Sequence, residues 1–435
     1  MRGISDLVSI HPEQGICEVG GIIREYINVF NGKEKTQSLY WRTLDPVTLT
    51  PSKDKTKVDS RSGKDYKSGG FQVLSAYSPD RSKLLIVTRA PENRGDGYLF
   101  EVYDQNFNLI WDMIPKLSLD DHELSLNLTV AYKSDLVNLQ VDNDGFAYCL
   151  GGYYETVGDH REEVFFGVKL DVKSISYSHL LVEKADIRTP YLSLSKAGEP
   201  IVAGFYDAEP ADKEDRQNGF FFGLLDFEEG KAPISLSKFP DEFIKNWWAV
   251  EEIKDYDREL AKGKPTGFSS LILKDIALNN EGGLTLVAQN SSAHRTIGNI
   301  VLIDIDSKGN ARWMKKVMVA QNGIGNQYVG FSMGQTDRYL YFLFNDEKKH
   351  TDPTWDREKI YIFEQFSNIR DQVTTIAVCD RQDEGNIIRQ LAWTPKEVGA
   401  TVDPIGRSVQ IGTSLFVSIT DNRGSERVVE VKLSN

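Results

Sequence analysis

Apolar, strand-like runs of about four to eight residues, each bounded by Gly, Asn or Asp, recur along this chain in a repeating unit. The clearest copies span Phe71–Leu117, Val137–Glu183, Tyr191–Phe239, Leu271–Gln321 and Tyr328–Pro395, and they agree in pattern far more than in letters. Two classes of turn recur inside the unit. One lies between the first two runs, at Ser78–Ser82, Asp142–Gly145, Lys196–Glu199 and Asn279–Gly283. The other precedes a tryptophan: Asp104–Asn108 before Trp111, Asp306–Asn310 before Trp313 and Asp383–Asn386 before Trp393. Asp, Asn and Gly tolerate the positive φ of tight hairpins, and the following Trp is expected to cover the outer strand of its own sheet. Two hairpin turns per unit require at least four strands.

A repeat of four-stranded units predicts an all-β chain folded as a β-propeller, in which each sheet buries its faces against its neighbours. The ends set the blade count. Ile22–Phe30 and Ser38–Leu44, with Leu7–Ile10 as a third candidate, read as strands of one further blade; Ser408–Ile411, Ser414–Thr420 and Arg427–Leu433 read as another. Counted separately they give seven blades, and merged into one they give six. The whole chain, 1–435, is then one domain.

The period breaks at 241–262. Phe243, Ile244, Trp247, Trp248, Glu251, Ile253, Tyr256 and Leu260 fall at helical spacing, with Pro240 and Asp241 as a start signal and Gly263 as a stop. This predicts an inserted helix. Consecutive helical positions point about 100° apart, so Trp247 is assigned to the packed side and Trp248 to the exposed side, as an anchor for a partner.

The chain has 435 residues and a formal charge of −13, which disfavours nucleic acid as a partner. The densest basic stretch, Lys53–Lys67, is interleaved with Asp54, Asp59 and Asp65 and reads as a solvated loop. Cys17, Cys149 and Cys379 are too dispersed for a disulfide framework, and Cys149 and Cys379 sit in apolar runs as core residues. The sequence contains no transmembrane span and no apolar leader after Met1.

Candidate chemistry is sparse. The six histidines include no metal-ligand pair. Asp142–Gly145 and Asp304–Gly309 lack the closing ligands of a calcium loop and return to strands at once, so they read as hairpins. Gly330-Phe331-Ser332-Met333-Gly334 spells a nucleophile elbow but has strand-like flanks on both sides, which rules out its strand-to-helix turn. Neither a metal nor a cofactor is expected. The residues open for binding are Trp248, Trp355, Tyr191, Tyr328 and Gln140. An axial position is expected for Gln72, Asn138, Gln140, Tyr191, Lys274, Tyr328 and Gln410.

The ordered runs FQVLSAYSPDRSKLLIVTRAP, YLFEVYDQNFNLIWDMIPKL, LQVDNDGFAYCLGGYYE, KDIALNNEGGLTLVAQ and NIVLIDIDSKGNARWMKKV resemble a family of uncharacterised propeller-like proteins, typically exported by Gram-negative bacteria. The resemblance extends from about Gly20 to Leu433. It implies the propeller fold and a periplasmic or cell-envelope location, with the export signal outside this sequence; the alternative location is cytoplasmic. It implies no reaction. Gly309–Trp313 is more loosely similar to the blade endings of quinoprotein repeats. The expected role is therefore a non-enzymatic binding or scaffolding propeller with a protein or glycan partner. The alternative is a propeller enzyme acting on carbohydrate or through a quinone in the axial funnel.

Overall fold

The computed structural model describes residues 16–434 apart from 20–21, 32–35, 46–49, 63–72, 91–96, 120–121, 127, 129–137, 158–159, 183–184, 209–216, 246–253, 255–256, 259, 263–266, 269–270, 292–295, 320, 323–329, 348–371, 395–396, 398–399, 403–407, 412 and 422–425. Among these residues the chain forms seven successive antiparallel units, the third and fourth joined edge to edge by a parallel pair into one nine-stranded sheet, and a separate two-stranded ladder of Ser118–Leu119 with His122–Glu123. The first comprises Ile16–Val19, Ile22–Asn31, Thr36–Leu44 and Thr56–Ser62; the second Val73–Tyr77, Lys83–Arg89, Tyr98–Asp104 and Leu109–Met113. The third runs Leu139–Val141, Ala147–Val157, His160–Leu170 and Ile175–Leu181; the fourth Asp186–Leu194, Pro200–Asp207, Gly219–Leu224 and Lys231–Lys238. Leu271–Leu278, Leu284–Ser291, Thr296–Ile305 and Ala311–Val317 make the fifth, and Ser332–Gln335, Tyr339–Glu347, Gln372–Asp380 and Asn386–Trp393 the sixth. In the seventh, Ser414–Asp421 pairs with Ala400–Val402 and Ser408–Ile411, and also with Glu426–Lys432. The two terminal segments thus form separate sheets, and the fold is a β-propeller.

Each strand register is a meander, which explains how one apolar run serves two interfaces. Side chains alternate between the faces of a strand, and both faces here are covered. Leu84 and Ile86 pack toward the first sheet with Tyr26 and Leu39, while Leu85 and Val87 pack toward the third with Val141 and Cys149. Leu340, Phe342 and Phe344 join the fifth sheet, and Tyr341 and Leu343 join the seventh. The described clusters bridge sheets one and two, two and three, three and four, four and five, five and six, and six and seven. Cys149 and Cys379 lie inside them as expected, and burial pushes both thiols above their ordinary range.

The turns carry the signals read from the sequence. Gly145, Gly198, Gly282, Gly309 and Gly385 have positive φ, as do Arg81, Phe107 and Glu384. Asp142 Oδ1 accepts the Asp144 and Phe146 amides, and Asp306 Oδ1 accepts those of Lys308 and Asn310. These carboxylates cap their own hairpins. Gly330–Gly334 leads into the strand Ser332–Gln335, with no helix following, so the elbow geometry is not formed.

Two expectations change, and the inserted helix is described in part. The tryptophans after the outer turns do not cover their own sheets but cross to the next one. Trp111 Nε1 donates to Gly145 O of the third sheet at 3.0 Å, and Trp313 packs beneath Gly385 of the sixth. Within Lys53–Lys67, read as a loop, Thr56–Ser62 is the outer strand of the first sheet, and Lys53, Lys55 and Lys57 are exposed. The inserted helix covers Asp241–Lys245, and Lys254, Asp257, Arg258, Leu260 and Ala261 are again helical; Trp247 and Trp248 lie outside the described residues. Lys245 pairs with Asp257 at 2.9 Å.

Gly385 gives a sharp test of the inter-sheet packing. Its φ is +70°, and a Cβ there would meet Trp313 Cε3 at 2.6 Å. Gly385→Ala is expected to cost about 1–3 kcal/mol. Gly198, with φ +85° and nothing within 4 Å of its Cβ position, should lose only the backbone part on Gly198→Ala. Equal urea midpoints for the two variants would show that Trp313 yields freely.

Candidate functional site

First strands of neighbouring sheets lie against one another at three described boundaries. Val73–Tyr77 lies against Leu139–Val141, Leu139–Val141 against Asp186–Leu194, and Ser332–Gln335 against Ser408–Ile411. Amide side chains lock these strands together. Asn138 is fully buried; its Nδ2 donates to Pro190 O at 3.1 Å and its Oδ1 accepts Leu192 N at 3.0 Å. Gln140 Nε2 donates to Leu192 O at 3.2 Å. Gln217, between the second and third strands of the fourth sheet, holds both backbone groups of Leu271 on the first strand of the fifth, at 2.9 and 2.6 Å, and Gln410 does the same for Gln335. A carboxamide offers the donor and acceptor of a peptide group, so each clamp stands in for a strand partner between sheets that diverge. Truncation of Asn138 to alanine strands two buried backbone groups and is expected to cost about 2 kcal/mol. Denaturant titration checks this, and a loss below about 0.5 kcal/mol would mean that water replaces the amide.

Two polar side chains in this region are not used as clamps. Tyr191 lies on the first strand of the fourth sheet, just after a register shift between Arg188 and Tyr191; Asp275 lies on the first strand of the fifth, just after one between Leu273 and Asp275. Each shift is a bulge, which re-aims the residues that follow it. Asp275 Oδ1 accepts the Ile276 amide at 2.8 Å. Protein surrounds the carboxyl, yet the residue keeps partial contact with solvent. Burial raises the Asp275 carboxyl to about 6, and no cation among the described residues opposes that. Burial, and after it the Asp275 charge, push the Tyr191 phenol above its ordinary range.

Of the sequence-derived binding residues, Tyr191 and Gln140 are therefore placed at the inner strands, with the Gln140 nitrogen engaged. Trp248, Trp355 and Tyr328 lie outside the described residues, as does Gln72. Lys274 is the extra residue of its bulge and has contacts of its own. Asp275 was not selected from the sequence. Only the bulge distinguishes it from its neighbour, and nothing in LILKDIAL marks that bulge in advance.

The two ends of the molecule differ. In a four-stranded meander the turns between strands one and two and between three and four share one end, and all other connections share the opposite end. The first end carries the self-capped hairpins, and there Lys196 of the fourth sheet reaches Asp337 of the sixth at 2.9 Å and also pairs with Asn280 of the fifth. The four longest connections, 114–138, 239–270, 318–331 and 348–371, all leave from and return to the opposite end. Among the described residues no group of three His, Cys, Asp or Glu side chains could hold a metal ion, and no helix is long and apolar enough to cross a membrane.

No protein-family profile matches the chain, and no curated protein sequence matches it. Solved structures similar to it include prolyl oligopeptidase B from Galerina marginata, at 11% identity over 95% of this chain and 46% of that one, with a TM-score of 0.41. The acylaminoacyl peptidase of Pyrococcus horikoshii is similar at 8% identity over 97% of this chain and 52% of its own, with a TM-score of 0.44. The β-propeller domain of the Trilobed protease from Pyrococcus furiosus, at 10% identity, covers 97% of this chain and 95% of its own, with a TM-score of 0.41. The chain spans about half the length of the two peptidases. The propeller assignment rests on the seven sheets and their interfaces.

Proposed function

We propose that this chain is a single-domain, seven-bladed binding propeller that engages a protein or glycan at the end bearing its long connections. The observation that carries the reading is the asymmetry of the two ends. Long connections are where binding residues accumulate on a rigid scaffold, whereas the hairpin end spends its polar side chains on its own turns. A cell-envelope location is part of the proposal and rests on the sequence resemblance; binding to nucleic acid is not part of it, given the charge of −13.

Substitutions at the long-connection end provide the test. Arg89 and Tyr154 are exposed and lie toward that end of the second strands of sheets two and three. Arg89→Ala with Tyr154→Ala should weaken capture on glycan arrays or from envelope extracts while leaving the melting temperature within a few degrees. Lys173→Ala at the hairpin end, also exposed, serves as the control. Capture that depends on the hairpin end would overturn the reading, and so would catalytic turnover in substrate screens without any captured partner.

A second reading, an enzyme acting on carbohydrate or through a quinone in the axial space, is favoured by the raised Asp275 carboxyl. Glycoside hydrolysis pairs two carboxyl groups roughly 5–9.5 Å apart. Among the described residues no second carboxylate acts on Asp275, and for that reason we place binding ahead of catalysis.

A further inference from the structure

An arginine drawn partly out of water ordinarily spends its guanidinium on a carboxylate or a carbonyl, because buried donors without an acceptor are costly. The half-buried and buried arginines described in this chain follow that rule with one exception. Arg42 pairs with Glu25 at 2.6 Å and Arg188 with Asp186 at 3.0 Å, while Arg381 and Arg389 donate to Ala277 O at 3.4 Å and to Met318 O at 2.9 Å. Arg24 has no ion pair and no hydrogen-bond acceptor among the described residues, and its Nε is buried. Its terminal nitrogens, unpartnered as well, keep contact with solvent. What holds the side chain is aromatic. The guanidinium carbon lies 4.1 Å from the ring centre of Trp41, 4.0 Å from that of Phe107 and 5.8 Å from that of Tyr103. Arg24 and Trp41 stand on the second and third strands of the first sheet, and Phe107 lies in the outer turn of the second. Phe107 has φ +58°, whereas the same position of the matching turn in the fifth sheet is Gly309, with φ +87°. A bulky residue in the left-handed region is held there against local strain, and here that strain sets a ring against Arg24.

We propose that Arg24, positioned by Trp41 and Phe107, is a binding site for the carboxylate of a small organic acid. Ring contacts engage the face of a guanidinium, and the N–H donors, which lie in its plane, stay open. The Nη atoms present a planar fork that matches the two oxygens of a carboxylate, and the fork is oriented before the acid arrives, which lowers the entropy lost on binding. The rings offer apolar contact to the body of the acid. Carboxylate is favoured over phosphate because the chain carries −13, and the repulsion from that charge grows with the charge of the ligand. Glu101, on the strand that carries Tyr103, accepts the Tyr103 hydroxyl at 3.0 Å and makes no ion pair with Arg24. The site is at the hairpin end, away from the long connections of the proposed function, so either can fail alone.

Saturation-transfer NMR on the full chain tests the proposal, with propionate as the probe and propionamide as the neutral control of the same shape. Transfer to propionate is expected, with none to propionamide. Arg24→Gln should reduce it at least about tenfold, and Arg24→Lys, which keeps the charge and loses the fork, severalfold. Arg42→Gln removes a neighbouring cation that is already paired, and should leave the signal unchanged. Inorganic phosphate at a concentration equal to that of propionate should leave most of the signal in place. Should Arg24→Gln fail to fold, Arg24→Lys decides. Equal transfer to propionamide, an undiminished signal in folded Arg24→Gln or Arg24→Lys, an equal loss in Arg42→Gln, displacement by phosphate at a lower concentration than propionate, or no transfer at tens of millimolar overturns the proposal.

Discussion

Replacing Phe239 with alanine is expected to remove about 3–5 kcal/mol of stability, the range for truncating a fully buried aromatic. Phe239 follows the last strand of the fourth sheet and is wholly inaccessible. Its ring lies 5.2 Å from that of Phe268 in edge-on contact, and 6.0–6.3 Å from those of Phe220, Phe243 and Phe205. Those rings come from the fourth sheet, the inserted helix and the strand bridge at Gln217–Phe268. Phe239 is therefore the point where the insertion is fastened to the propeller, together with Ile244 and Leu260 of the helical pieces. Phe239→Ala should lower the urea midpoint and also speed hydrogen exchange at Asp241–Lys245, whereas Phe239→Leu should cost less than half as much. A loss below about 1 kcal/mol would mean that the four remaining rings repack around the cavity, and that the insertion is held elsewhere.

The parts of this fold that were readable from the sequence are those fixed by local stereochemistry. Asp, Asn and Gly at 142–145, 279–283 and 306–310 report a backbone requirement satisfied within the hairpin itself, and the hairpins formed where those residues stand. The doubly buried strands were readable for a related reason. A run such as LLIV has no polar face, so it demands cover on both sides, and a radial stack of sheets supplies that cover. The destination of Trp111 and Trp313 was not readable, because a large ring near a turn can satisfy either its own sheet or the next, and only the spacing between sheets decides. Nor was the parallel pairing of His179–Leu181 with Lys231–Pro233, which joins the outer strands of sheets three and four across residues far apart in the chain.

The site was half readable. Tyr191 was picked out as an aromatic on a first strand, and Asn138, Gln140 and Gln410 as polar groups beside the axis. What the sequence cannot distinguish is an amide that faces a ligand from one that clamps a neighbouring strand. Both use the same donors and acceptors, and the difference is whether a backbone group of another sheet stands 3 Å away, as Leu192 does for Gln140. Asp275 was hidden by parity. On a regular strand the alternation through Ile272 and Lys274 selects Lys274 for the axis, and the bulge between Leu273 and Asp275 shifts the frame by one residue.

Asp275→Asn is expected to stabilise the protein at neutral pH, by up to about 3 kcal/mol, and to do so in a pH-dependent way. The Asp275 carboxyl is raised from 3.8 to about 6 in the folded chain, chiefly by burial. Below about pH 4 it is protonated in both folded and unfolded states, and its contribution to stability is fully present. Between about 4 and 6 the folded state holds a proton that the unfolded state has released, so stability falls as pH rises through this window and levels off above it. Asparagine resembles the protonated acid in shape and keeps an oxygen to accept the Ile276 amide, without the charge that burial penalises. The gap between variant and parent should therefore be widest at pH 8 and close toward pH 4, read by urea denaturation at both values. A gap that is constant across pH, or a variant less stable than its parent at pH 8, would show that the carboxylate is already compensated in the folded chain.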